Sequence, residues 1–299
     1  MKLVFIHGRS QEKKDPVQLK ADWIQALLKG FASIQAKAPE NLEIVFPYYG
    51  DLLFEETERV ASKEFRELID KGAADPAASP PAEEQEFVRD LVMQMAAGQD
   101  VSREEVEAEA YGQQLVDRGV QNWKVVLAAL RLLDKVPGVA STSVELFTRD
   151  VWAYLSRKGV RDAVNKLVAA AIPETEPCVV VSHSLGTIVA YNLLMDRKVR
   201  ANVRKFITLG SPLGIDAIQD RLPSDSPPRV APEGVGHWFN ARDSRDVVAL
   251  YDISSKKFRG NPAVQNYGKV KNRSENRHGI REYLHNAVVA AEISAGLRL

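Results

Sequence analysis

The chain has 299 residues, 45% of them apolar, enough to bury one large domain or one domain that carries an insertion. Forty acidic and forty basic side chains cancel to a formal net charge of zero, so no global field is available to hold nucleic acid or an anionic bilayer. The single cysteine, Cys178, excludes an internal disulfide, and no apolar run is long enough to predict a transmembrane segment.

Met1-Lys2 passes directly into Leu3-Val4-Phe5-Ile6, an apolar run too short for a signal peptide, so a cytoplasmic protein is expected. The same run predicts a buried parallel strand, and it ends in His7-Gly8-Arg9. A second strand is predicted over Glu43 to Phe46. From Asp51 to about Asp150 no strand pattern appears, only charged helical segments interrupted between Asp75 and Ala82 by Pro, Ala and Ser. Within this interval Ser102 and Glu105 have the spacing of a capping box, and Pro137-Gly138 stops an apolar helix over Trp123 to Leu133. A further apolar segment follows at Val144, Leu146, Phe147, Val151, Trp152 and Leu155.

Beyond it, Val160, Ala163, Val164, Leu167, Val168 and Ala171 share one helix face. A strand over Cys178 to Val181, a helix from Leu185 to about Met195, and strands over Phe206 to Leu209 and His237 to Ala241 complete the alternation. The pattern predicts a doubly wound α/β domain, a mostly parallel sheet with helices on both faces. Residues 1–50 and 151–299 are expected to form this core, and residues 51–150 a helical insertion placed to cap the sheet's carboxyl edge.

The chemistry concentrates at Ser182-His183-Ser184-Leu185-Gly186, between the Cys178 strand and the next helix. A turn this tight needs small residues two before and two after the central serine, and it lifts that serine's Oγ clear at a helix N-terminus. Gly186 meets the demand, and Ser182 is small. The competing reading is an ordinary turn in which Ser184 caps the helix.

A hydroxyl needs a base and a negative partner to become a nucleophile. Asp243 and Asp246 both follow the His237 to Ala241 strand, and from the residues alone either could hold an imidazole. Among the five histidines, His278 lies in a polar, Gly-containing loop before the final helix, where a catalytic base belongs. His285 lies inside that helix, and His183 and His237 read as structural. An oxyanion would take one N–H from Leu185 and a second from Arg9, where Gly8 lets the backbone turn. His7 reads as a buried residue that fixes this loop.

Four segments together resemble the α/β-hydrolase superfamily, in particular lipase- and esterase-like members related to the GPI-inositol-deacylase group. They are Val4 to Gly8, Val179 to Ala190, Phe206 to Gly214 with its Gly210-Ser211-Pro212 loop, and Trp238 to Ala249. The ending His278-Gly279-Ile280-Arg281-Glu282-Tyr283-Leu284 is similar to the base segment of that group. The resemblance selects Asp246, which precedes an apolar pair, as the acid.

It implies a serine hydrolase with Ser184, His278 and Asp246 as catalytic residues, Arg9 and Leu185 as oxyanion donors, His7, Gly8 and Gly186 in support, and no metal or other cofactor. The apolar insertion directs the expected substrate toward lipid-like or other hydrophobic esters. The same groups would serve a thioesterase, amidase or acyltransferase, and a non-catalytic binding scaffold on the same fold is the reading from another class.

Overall fold

The computed structural model describes residues 1–60, 81–111, 121–196, 202–222, 229–254, 258–272 and 276–298. The strands in chain order are β1 (Lys2–Ile6), β2 (Glu43–Val45), β3 (Cys178–His183), β4 (Val203–Leu209), β5 (Arg229–Val230), β6 (Val235–Ala241), β7 (Phe258–Arg259) and β8 (Val264–Tyr267). Six of them form one parallel sheet in the order β2-β1-β3-β4-β6-β8, and β5 pairs separately with β7. The molecule is thus a mixed α/β fold. The five strands expected from sequence are present, β4 starting at Val203 rather than Phe206 and β6 at Val235 rather than His237. The edge strand β8 and the β5–β7 pair are additions to that expectation.

The helices are α1 (Pro16–Ser33), α2 (Gly50–Val60), α3 (Ala82–Ala97), α4 (Arg103–Tyr111), α5 (Gln121–Asp134), α6 (Ser141–Ser156), α7 (Lys158–Ala169), α8 (Leu185–Met195), α9 (Asp216–Gln219), α10 (Ile280–His285) and α11 (Ala287–Arg298). Among the described residues none is long and apolar enough to cross a membrane.

Local chemistry accounts for several boundaries. Asp15 accepts the Val17 and Gln18 amides ahead of α1, whose first residue is Pro16, so an orphan donor is satisfied where proline costs nothing. At α4 the Ser102 amide donates to Glu105 Oε2 (2.8 Å) and the Glu105 amide to Ser102 Oγ (3.1 Å), the reciprocal pair expected from their spacing. The Pro- and Ala-rich break expected between Asp75 and Ala82 falls almost wholly outside the described residues, and α3 begins at Ala82.

Because side chains alternate along a strand, β1 and β3 contribute to two separate apolar clusters. Val4, Ile6, Cys178 and Val180 join a cluster that extends through α8 and into α3, α5, α6 and α7. Leu3, Phe5, Val179 and Val181 join a second one with Trp23, Leu27 and Phe31 of α1 and with α10 and α11. Cys178 is fully buried, and burial raises its thiol to about 11, which leaves it an inert core residue. Ile293 of α11 is fully buried in the second cluster, whereas Val288, on the same helix, is 37% exposed. Ile293→Ala is therefore expected to lower stability by about 2–5 kcal/mol and Val288→Ala by less than about 0.5 kcal/mol, measured by urea denaturation.

Candidate active site

The order β2-β1-β3-β4 contains a reversal: the chain leaves β1 for β2 on one side and β3 for β4 on the other. The carboxyl ends of β1 and β3 are therefore neighbours at the point where an open parallel sheet leaves a crevice. His7-Gly8 follows the first of these strands and Ser184 the second. The structure thus brings to one place two segments 176 positions apart, Gly8 and Ser184 being neighbours across the sheet edge.

Ser184 has φ 56° and ψ −132°, a conformation that side chains rarely adopt. Its side chain makes no capping hydrogen bond to α8, so the helix-cap reading of this serine does not hold. A Cβ on Gly186 would lie 2.3 Å from the His7 carbonyl oxygen, and one on Gly8 would lie 2.6 Å from Ser184 Cβ. The absence of both side chains lets the turn close on the loop after β1. Ser182 turns its hydroxyl to the Ile207 carbonyl of β4 at 3.3 Å and is accommodated within the sheet.

His278 sits in the loop before α10. Its Nδ1 is 2.7 Å from Asp246 Oδ2, and Asp246 is fully buried. This contact engages Nδ1 and leaves Nε2 as the ring nitrogen turned away from the carboxylate. Among the described residues Ser184 Oγ and His278 Nε2 are both buried without a hydrogen-bond partner, and no bond joins them in this structure. Tyr283 also donates its hydroxyl to Asp246 Oδ2 (2.8 Å) and accepts the Asp243 amide (3.1 Å).

The alternative acid, Asp243, is committed elsewhere. Its carboxylate accepts from Arg245 Nη2 (2.7 Å) and from the Asn272 amide (2.7 Å). Burial alone would push its pKa up, but the Arg245 and Asn272 hydrogen bonds outweigh this and hold it below the usual carboxylate value. His285 closes α10, and His237 lies exposed in β6.

His183, read from the sequence as structural, lies against the His278 loop. Its Nε2–H donates to the His278 carbonyl (2.8 Å), and the two rings lie 4.6 Å apart. Burial, then the neighbouring His278, hold its pKa well below the ordinary histidine value, so it stays neutral. The two residues missed in the sequence are thus His183 and Tyr283. Adjacency to Ser184 and to the His278 segment was their only signal.

His7 is fully buried, and burial lowers its pKa to about 4. Its Nδ1–H donates to the Gly8 carbonyl (2.6 Å), and its Nε2 accepts the Tyr49 amide (3.0 Å). The Tyr49 hydroxyl donates to the His7 carbonyl, and its ring stacks on the imidazole at 4.0 Å. The Arg9 side chain reaches out of the loop to the insertion, with Nε 2.8 Å from Asp150 Oδ2 on α6. Leu185 opens α8 and is fully buried. No family model, no curated protein and no solved structure matches this chain.

The neutral burial of His7 has a measurable consequence. Between its ordinary value of 6.5 and its folded value of about 4, the unfolded chain binds a proton that the folded chain does not. Stability therefore falls as the pH drops through this window, by up to about 1.4 kcal/mol per pH unit for this one group. His183, shifted in the same direction, adds to the slope. Urea denaturation between about pH 7 and pH 5 is expected to show a shallower decline in His7→Gln than in the unaltered protein. Equal slopes would contradict a neutral, buried His7.

Proposed function

We propose that the chain is a serine hydrolase of the α/β-hydrolase type that cleaves carboxylic esters through an acyl-enzyme, with Ser184 as nucleophile, His278 as general base and Asp246 as the acid that orients it. The observation that carries this reading is the conjunction of a strained strand-to-helix serine, its Oγ unengaged, with a partly buried imidazole held by a carboxylate and presenting an unengaged Nε2 at the same sheet edge. In this reading the sheet is doubly wound, residues 1–50 and 151–299 form the catalytic core, and residues 51–150 cap it.

In the first step His278 Nε2 takes the Ser184 proton while Oγ bonds to the ester carbonyl carbon. The carbonyl π electrons move onto its oxygen, and that oxyanion needs donors. The Leu185 amide, at the first residue of α8, supplies one. The Arg9 amide supplies the other. Because His7 holds the Gly8 carbonyl, and a trans peptide points its C=O and N–H in opposite directions, the Arg9 N–H faces away from His7 and is fixed before substrate arrives. Collapse expels the alcohol, which takes the proton from His278. Water, deprotonated by the same imidazole, then attacks the acyl carbon, and Ser184 leaves with the proton. The chain's own groups complete this cycle.

The substrate class follows from the insertion. The apolar side chains that α3 and α5 present, Val88, Val92, Trp123, Val126 and Leu130 among them, support lipid-like or other hydrophobic acyl groups. The same nucleophile would serve a thioester or amide, since nothing in the triad selects the leaving group. The screening of both Ser184 Oγ and His278 Nε2 from solvent favours one reading from another class, a hydrolase-fold scaffold that binds without turnover.

A fluorophosphonate separates the two, because Ser184 Oγ displaces its fluoride only when a base takes the hydroxyl proton. The expected result is one phosphonyl group per chain, located on Ser184 by peptide mass spectrometry. It should be absent in Ser184→Ala and form at least about a hundredfold more slowly in His278→Ala. A folded protein that takes no label from a small or a long-chain fluorophosphonate would leave the scaffold reading.

A further inference from the structure

We infer that Tyr283 is a positioning residue for the proposed triad, acting through Asp246: its hydroxyl holds the carboxylate oxygen on which the His278 imidazole is hung. The inference rests on the serine-hydrolase reading for its catalytic consequence, and on geometry alone for the arrangement itself.

Asp246 has no contact with solvent, so its charge must be compensated by donors. Oδ1 accepts the Val248 amide at 2.9 Å. Oδ2 accepts two donors, His278 Nδ1–H at 2.7 Å and the Tyr283 hydroxyl at 2.8 Å. The direction of the second bond is forced. The phenol oxygen already accepts the Asp243 amide at 3.1 Å, so its hydrogen is directed to Asp246. Tyr283 is itself fully buried, and its burial together with the Asp246 charge raises its pKa well above 10, which keeps that hydrogen in place at any working pH.

The hydroxyl therefore does two things that packing would not. It fixes Oδ2 in the plane where His278 Nδ1 meets it, and it disperses the carboxylate charge so that the imidazole proton stays on nitrogen. Tyr283 lies five residues after His278, on the α10 turn that the base loop enters. Asp243 and Asp246 belong to the loop after β6. The phenol thus ties the acid loop at two points to the helix that follows the base.

The test uses the full chain and Tyr283→Phe, which retains the ring. The proton of His278 Nδ1, shared with a carboxylate, is observed at low field in the NMR spectrum. In Tyr283→Phe it is expected to move further downfield, because Oδ2 has lost its other donor, and fluorophosphonate labelling of Ser184 is expected to slow about tenfold. In an Asp246→Ala background the same substitution should leave the labelling rate unchanged. A folded Tyr283→Phe with the resonance and the labelling rate of the unaltered protein would overturn the inference.

Should that variant not fold, the unaltered protein decides alone. A cross-peak between the His278 Nδ1 proton and a slowly exchanging Tyr283 hydroxyl proton, both seated on one oxygen, supports the inference, and its absence overturns it. Failure of the unaltered protein to label would count against the hydrolase reading only, since the resonances report on the arrangement without turnover.

Discussion

The contact between the first turn of α8 and the end of β1 is the constraint on which the site depends. A Cβ at Gly186 would stand 2.3 Å from the His7 carbonyl oxygen and 2.5 Å from that of Ile6, so the helix can start this close to the strand only where the side chain is missing. Given that approach, Ser184 has no room for an ordinary turn and takes positive φ, with its amide bonded to the Leu209 carbonyl of β4 at 3.1 Å. The strain is borne by the fully buried strand β3 and its neighbours, which can hold a residue in a conformation costing about 1–3 kcal/mol. The place where the strand order reverses is therefore also the place where a hydroxyl is presented without a partner among the described residues.

Around that turn the structure places histidine in two kinds of surroundings. His7 and His183 are desolvated and neutral, each donating one N–H to a backbone carbonyl, and they serve as rigid hydrogen-bonding plates. His278 is the imidazole of the cluster that has a carboxylate on one nitrogen and nothing on the other. One residue type thus supplies both rings locked to backbone carbonyls and a ring with one nitrogen unengaged, and the neighbours decide which. A carboxylate beside His7 or His183 would have introduced a second charge site a few ångströms from the first, competing for the same proton.

What was legible in the sequence follows from the same physics. Fully buried parallel strands are continuous apolar runs, so β1 and β3 stand out, as does the small-residue turn that ends β3. The edge strand β8 reads Val-Gln-Asn-Tyr, short and half-buried with two polar residues in succession, and carries no such signal. The choice between Asp243 and Asp246 was open from the residues, because each is an aspartate just past a strand, and it is decided spatially by Arg245 and Asn272 taking the first. Reading His183 as structural leaves out its contact with the His278 carbonyl, 95 positions on, which has no local signal. Tyr283 and Asp246 are brought together by tertiary packing of α10, which no local pattern encodes.

The link between Arg9 and Asp150 bears on how such a chain can be remodelled. The guanidinium next to the site finds its carboxylate on α6, and both side chains are largely withdrawn from water. Tyr251, just past the acid loop, likewise bonds the Gln94 carbonyl of α3 at 3.2 Å. Helices contributed by the middle of the sequence therefore supply a counter-charge and an anchor to loops contributed by its two ends. Such a segment is not an interchangeable module. Exchanging it for a foreign one would strip a buried arginine of its counter-ion, so the outer helices and the loops they steady are free to diverge only in step with one another.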